Sequence, residues 1–447
     1  MGLTLIRKSN KKKGLRPGAK VALVLAGGAV SGGAFKVGGL KALDDFFVGR
    51  GISDLDIYVG LSAGGLIAVP LAGGIQPDEM IRVLEGTSEQ FDQLRPIDFY
   101  GLNLEEFALR PLKFAYDALS YIPGVTLDFL RGLPHLPDSV GTAARRFYQE
   151  PTYTHMEALL IRVLEATSPK REIPALTNHI PSGIFDNSGL ERWMRRSLER
   201  IDIPNDFSSF RRRSGKDLYL CAANLDTAER VVFGHDEDDS VTISQAMQAS
   251  TAMPIFYRPP RINGVDYIDG GVKHTANIDV AIEKGADLII CYNPFRPFIN
   301  HPEDPRSAGN YFADGKYLSD RGLKIVANQV LRMMLHSRLK LGIQRYLADD
   351  RFEGDIVLLE PREHDANFFA VNPLAFWKRA EAVQHGFESV RHTILQNYDE
   401  LTEVFSSYGL EMSPDAAAQK AEEIRAHQGW LGVDDDEQPP LRLVRHG

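Results

Sequence analysis

Ser62 stands in the run Tyr58-Val59-Gly60-Leu61-Ser62-Ala63-Gly64-Gly65, which reads G-x-S-x-G. A serine in that setting does acyl-transfer chemistry when the chain turns sharply from strand to helix and leaves the hydroxyl alone at the tip. Side chains two residues either side of the tip would collide, which accounts for Gly60 and Gly64. Asp56-Ile57-Tyr58-Val59 supplies the strand, and Ala63 to Val69 the helix, which Pro70 should kink or end. The pattern is permissive in a chain with 39 glycines, so Ser62 needs partners elsewhere.

Acyl transfer also needs donors for an oxyanion and a base for the nucleophile's proton. The apolar strand Val21 to Leu25 runs into Ala26-Gly27-Gly28-Ala29-Val30-Ser31-Gly32-Gly33-Ala34. Such a loop can aim backbone N–H groups into a site, with a helix N-terminus behind them adding positive potential. No G-K-[S/T] follows and the G-x-G-x-x-G spacing is absent, so this is neither a Walker nor a dinucleotide loop. By itself it is an anion loop; beside an elbow it reads as an oxyanion hole. Further on, Val265-Asp266-Tyr267-Ile268-Asp269-Gly270-Gly271 puts Asp269 at a strand end before two glycines. On its own, that D-G pair signals a hairpin turn.

The elements that must position these groups can be traced along the chain. Lys36 to Arg50 reads as one helix between the first strand and the Ser62 strand, with Leu40, Leu43, Phe46 and Phe47 on one face. From about 88 to 185, Phe91, Phe99, Phe107, Phe114, Tyr116, Tyr121 and Phe129 are spread among prolines and short helical pieces, as in a helical insertion. Helix Asn187 to Arg200, strands Leu218 to Ala223 and Arg230 to Gly234, helix Ile243 to Ser250, and strands Val265 to Ile268 and Leu288 to Tyr292 follow. Strands alternating with helices imply an α/β fold, a mostly parallel sheet covered on both faces. A polar stretch, His301 to Gly315, precedes a long basic amphipathic helix at Leu323 to Leu347, a strand at Asp355 to Glu360 and helices at Pro373 to Leu395 and Ser413 to Gln428. The expected domains are an arm at 1–19, a hydrolase domain at 20–300, a mainly helical extension at 301–430 and a disordered tail at 431–447.

With 43% hydrophobic and 25% charged residues, the composition is that of an ordinary globular protein. Two cysteines, Cys221 and Cys291, both in apolar runs, fit buried thiols in a reducing compartment. The net charge is −9, yet the first 20 residues carry seven basic side chains and no acid. That arm reads as a solubilising tail or as a contact for anionic headgroups. The apolar run after it is too short for a signal core, so a cytoplasmic protein without a transmembrane helix is expected.

The Gly-rich loop on the first strand, G-x-S-x-G on the next and the late D-G-G together resemble the patatin-like phospholipase family. Ser244 to Phe256 and Asn224-Leu225-Asp226-Thr227 with Val231-Val232-Phe233 add to the resemblance. It implies a three-layer α/β/α sandwich and a Ser62–Asp269 dyad without histidine. Gly27, Gly28, Ala29 and Ala63 are the implied oxyanion residues, and Gly32, Gly33, Gly60, Gly64, Gly270 and Gly271 the motif glycines. Two departures stand out: Ala29 replaces the third glycine, and Ser31 stands where the family has a basic residue. Lys36 can replace that charge, although a surface position is the simpler expectation for a lysine.

The implied substrate is a phospholipid or other acyl lipid, hydrolysed through an acyl-enzyme without metal or cofactor, with peripheral membrane contact left open and no nucleic-acid partner. The rivals are a Ser-His-Asp esterase, for which His235 and His274 are the histidines to test, and a non-catalytic lipid-binding module on a degraded scaffold.

Overall fold

The computed structural model describes residues 2–8, 18–113, 116, 138–167, 180–301, 317–349 and 352–426. The tail from 431, the polar stretch 302–315, the basic residues between 11 and 16, and Phe114, Tyr121 and Phe129 lie outside the described residues. The chain divides into a larger unit, Met1–Gly101 with Phe185–Gly447, and a smaller one, Leu102–Ile184.

The larger unit is built on a nine-stranded sheet. In chain order the strands are β1 (Leu3–Arg7), β2 (Val21–Leu25), β3 (Ile57–Leu61), β4 (Asp217–Asn224), β5 (Arg230–Phe233), β6 (Arg261–Ile262), β7 (Val265–Asp269), β8 (Leu288–Tyr292) and β9 (Asp355–Leu359). In space they run β1-β9-β8-β2-β3-β4-β7-β6, with β5 beside β4. The stretch from β9 to β4 is parallel, whereas β1, β5, β6 and β7 pair antiparallel.

Every residue of β2 is buried. A strand covered on both faces feeds two cores, and alternate side chains do so here. Val21, Leu23 and Leu25 join a core with helices α1 (Ala29–Phe46), α2 (Ala63–Ala72), α3 (Pro77–Glu85), α4 (Ser188–Arg200) and α5 (Ile243–Ser250). Ala22 and Val24 join the other, with α6 (Ile278–Glu283) and the Leu339 and Ile343 side of α7 (Leu323–Ala348). This is the α/β/α sandwich that the alternation of strands and helices predicts. Cys221 and Cys291 are free and buried in the second core.

The first helix departs from expectation. It runs from Ala29 to Phe46 rather than from Lys36 to Arg50. Gly32 and Gly33 weigh against helix by backbone entropy, but burial along almost the whole of α1 overrides that weak preference. A helix buried all round has no amphipathic stripe to betray its start. On one side it meets α8 (Arg379–Gln396) backbone to backbone. A Cβ on Gly38 would lie 1.9 Å from the Val383 carbonyl oxygen, and one on Gly386 would lie 2.0 Å from that of Phe35.

The expected domain edges also move. Leu3–Arg7, read as part of the arm, pairs with β9 along all five residues. The extension beyond 300 supplies β9 to the sheet and α8 to the flank of α1. Phe91 and Phe99, read as insertion, are buried in the larger unit.

The smaller unit holds helices at 104–113, Asp138–Gln149 and Tyr153–Thr167. Within it, Glu106 accepts the Ser182 amide at 2.7 Å and pairs with Arg110 at 3.0 Å.

Candidate active site

β3 delivers Ser62 to the tip of a strand-to-helix turn. Its φ and ψ are 54° and −128°, a combination that only an over-determined site holds in a non-glycine residue. The flanking glycines are sterically required. A Cβ on Gly60 would sit 2.6 Å from the Gly65 Cα, and one on Gly64 would sit 2.2 Å from the Leu25 carbonyl oxygen. A contact not foreseen from the sequence pins the turn: the Ser62 N–H donates to Ser250 Oγ at 2.8 Å, and that hydroxyl donates to the Cys221 carbonyl at 2.7 Å. Ser250 ends α5, whose start is fixed by a Thr242–Gln245 capping box. One serine at a helix end carries no spacing signal, so nothing in the sequence singles it out.

Asp269 ends β7. Leu61 pairs with Cys221 across β3 and β4, and Asp269 pairs with Ala222 across β4 and β7, so Ser62 and Asp269 stand at the same level of the sheet. The Ser62 side chain acts on the Asp269 carboxyl and draws its pKa down. Oδ1 accepts the Gly271 N–H at 2.8 Å. Burial pushes the Asp269 pKa up to about 6, against the Ser62 side chain, the Gly271 amide and the field of Lys36. The D-G-G segment is not a hairpin turn but a 3-10 turn, Gly270–Val272, and a Cβ on Gly270 would lie 2.8 Å from the Cys221 carbonyl oxygen.

The Gly-rich segment is a loop only at Ala26–Gly28; from Ala29 onward it is helix. Gly28 has φ 148°, and Ala29 holds a left-handed φ of 51°. Gly27 borders the nucleophile position, since a Cβ built on it would lie 3.4 Å from the Ser62 Cβ. Gly32 and Gly33 lie in the first turns of α1, where the Gly32 N–H is bonded to the Gly28 carbonyl at 2.9 Å. The Ser31 N–H is bonded to the Pro373 carbonyl at 3.1 Å and is thereby turned away from any substrate role. The amino end of α1 directs its dipole toward this loop.

Lys36 is not at the surface. It is fully buried beneath the loop, and its Nζ donates to the carbonyls of Ala26 and Gly27. Burial lowers its pKa to about 7, opposed by Asp269 and Cys291.

The two histidines have other partners. His235 lies 3.8 Å from Asp217 and 3.6 Å from Asp236. His274 is half-buried, its pKa held below the usual range first by burial and then by Arg230.

From Ser62 opens a pocket of about 940 Å³, its open mouth included. Val37 of α1, Leu66 of α2, Met80 of α3, Phe91, Trp193 of α4 and Phe376 wall it, and the lining is almost wholly apolar. Among the described residues no group of three His, Cys, Asp or Glu side chains is placed to hold a metal ion, and no helix is long and apolar enough to cross a membrane.

A family model described as patatin-like phospholipase matches residues 23–282. A probable lipid hydrolase, 463L, of Invertebrate iridescent virus 6 is 30% identical over 105 residues, which cover 23% of this chain and 36% of that relative. The match therefore spans about a third of that protein's length. Among solved structures, VipD from Legionella pneumophila aligns with a TM-score of 0.36 and 16% identity, over 88% of this chain and 70% of VipD. ExoU from Pseudomonas aeruginosa, solved with SpcU, aligns with a TM-score of 0.27 and 15% identity, over 96% of this chain and 77% of its own.

Proposed function

Because this chain belongs to the patatin-like phospholipase family, we propose that it is a serine lipid acyl hydrolase of phospholipase A or lysophospholipase type, working through Ser62 and Asp269. The observation that carries this reading is that Ser62, at a strained elbow opening into an apolar pocket, stands at the same level of the sheet as the buried carboxyl of Asp269.

In the reaction, Ser62 Oγ attacks the ester carbonyl carbon while Asp269 takes its proton. A carboxylate near pKa 6 is ionised at neutral pH yet more basic than a surface aspartate. The negative charge that develops on the carbonyl oxygen is received by backbone N–H groups of Gly27, Gly28, Ala29 and Ala63, near the amino ends of α1 and α2. Collapse of the tetrahedral species expels the alcohol, which takes the proton from Asp269. Water, deprotonated by the same carboxylate, then attacks the acyl-enzyme, and Ser62 regains its proton as the fatty acid leaves. The acyl chain occupies the apolar pocket that opens from Ser62.

Access to a lipid surface fits the outer side of α7. Val330, Met333, Met334 and Leu341 are exposed there, and the helix carries Lys324, Lys340 and Arg345 with no acidic residue. Apolar and basic groups together suit an anionic bilayer.

The deciding experiment reacts the folded protein with a long-chain fluorophosphonate and maps the adduct, beside lipid-panel hydrolysis by wild type, Ser62→Ala and Asp269→Asn. Adduct on Ser62 with hydrolysis lost in both variants is expected. Folded wild type that neither labels at Ser62 nor releases fatty acid would make the protein a lipid-binding module instead, and loss of activity in His274→Ala would favour a histidine triad.

A further inference from the structure

Lys36 has no part in the reaction as written, yet it sits under the loop that the reaction needs. Its Nζ is bonded to the carbonyl oxygens of Ala26 and of Gly27, the second at 2.9 Å. An ammonium is expensive to remove from water, and this one is enclosed completely. Asp269 and the Cys291 thiol are the titratable groups that act on it through space, and burial keeps that thiol neutral at ordinary pH.

A trans peptide holds a carbonyl and the following N–H pointing in opposite directions within one rigid plane. The Ala26 carbonyl shares its plane with the Gly27 N–H, and the Gly27 carbonyl shares its plane with the Gly28 N–H. Fixing the two oxygens therefore fixes the direction of both N–H groups. Other bonds limit the freedom of the same loop: the Ala26 N–H is held by the Tyr292 carbonyl at 3.1 Å, and the Gly28 carbonyl by the Gly32 N–H. Gly27 itself borders Ser62.

We propose that Lys36 is the positioning residue of the oxyanion hole: by gripping the Ala26 and Gly27 carbonyls it turns the Gly27 and Gly28 N–H groups toward the carbonyl oxygen that Ser62 attacks. This assignment rests on the hydrolase reading above. It also accounts for the serine at position 31, since the charge that the loop lacks is supplied from the second turn of α1. A loop held from below by a buried side chain leaves its upper surface free for substrate.

Lys36→Met keeps the apolar stem and removes the donor. It should lower kcat on a soluble p-nitrophenyl ester about 100-fold, the usual scale for a lost oxyanion donor, with KM changed by less than about threefold. The rate of Ser62 phosphonylation should fall in step. The acidic limb of kcat/KM against pH should also move upward, because Asp269 loses a positive neighbour. Circular dichroism establishes that the variant is folded. A folded Lys36→Met enzyme with turnover within about threefold of wild type would overturn the proposal.

A second measurement needs no variant. In a crystal structure of the wild-type phosphonyl adduct, the phosphonyl oxygen should lie about 3 Å from the Gly27 and Gly28 nitrogens, with Lys36 still on the two carbonyls. An oxygen held by other donors overturns the role of Lys36 and leaves the hydrolase reading intact. Wild type that forms no adduct overturns the hydrolase reading itself.

Discussion

The backbone amide of Ser62 is held by the side chain of Ser250, at 2.8 Å, from a helix 188 residues further along the chain. Because that hydroxyl also donates to Cys221, one oxygen ties the elbow to the neighbouring strand. Ser250→Ala would orphan a buried N–H and leave a buried carbonyl one donor short. The expected loss is about 1–3 kcal/mol of stability. At a temperature where the variant is fully folded, kcat should fall roughly tenfold as the nucleophile loses its fixed direction. Urea unfolding and turnover measured together test this, and unchanged turnover would show that the turn holds itself.

A second expectation follows from the raised pKa of Asp269. Activity requires its ionised form, so kcat/KM should rise through a pH of about 6. Stability should move in the opposite direction. A carboxyl whose folded pKa lies above its unfolded value of 3.8 stabilises the fold below that value, and the contribution is lost as pH rises through about 6. Asp269→Asn should therefore be inactive yet more stable than wild type at pH 8, by on the order of 2–3 kcal/mol. At pH 4 most of that difference should vanish. Equal unfolding midpoints at pH 8 would contradict the burial argument.

The sequence revealed the motifs better than the matrix that holds them. Ser62 and its two glycines were legible because elbow sterics leave local marks, whereas the D-G-G read locally as a hairpin turn and only the family resemblance set Asp269 apart. The sheet was legible because β2, β3 and β8 are short apolar runs bounded by loops. What failed was local reasoning about α1 and Lys36. A glycine-rich start looks like loop, and a lysine looks like surface, until tertiary packing buries both. The joining of Leu3–Arg7 to Asp355–Leu359 had no local mark, since neither segment names its partner.

The pocket predicts chain-length selectivity. Leu84 lines it from α3. Leu84→Trp should fill part of the space, lowering kcat/KM for a sixteen-carbon ester about tenfold or more while sparing a four-carbon one, in line with roughly 1–3 kcal/mol for pocket contacts. A parallel fall for both esters would place the acyl chain elsewhere.

Backbone contact between α1 and α8 gives a prediction about packing alone. Gly38→Ala drives a methyl into the Val383 carbonyl and should cost about 3 kcal/mol. Gly141→Ala, where a Cβ meets nothing within 4 Å in a helix of the smaller unit, should be neutral or stabilise by up to about 1 kcal/mol. Thermal melting of the two variants side by side separates crowding from the general effect of replacing glycine.

For the outer side of α7, the double variant Met333→Asp with Met334→Asp should weaken sedimentation with phosphatidylserine vesicles at least tenfold, at about 1 kcal/mol or more per residue. Hydrolysis of a soluble ester should be unaffected. Undiminished vesicle binding would assign membrane contact to another surface.

The pairing of β1 with β9 also bears on when the protein becomes active as it is made. Lys8 and the Asp355 carboxylate that accepts its amide are 347 residues apart. Phe376 and the α8 flank of α1 come later than Asp355 in the chain. A ribosome adding about 5–20 residues per second completes Ser62 and Asp269 several seconds before Leu374 and Phe376, the last of the pocket walls, exist. The two residues are thus synthesised early and their pocket is completed late. A chain stopped between Gly271 and Leu374 would carry both motifs intact but lack the last walls of the pocket, so on the function proposed above the last third of the polypeptide sets when hydrolysis can begin.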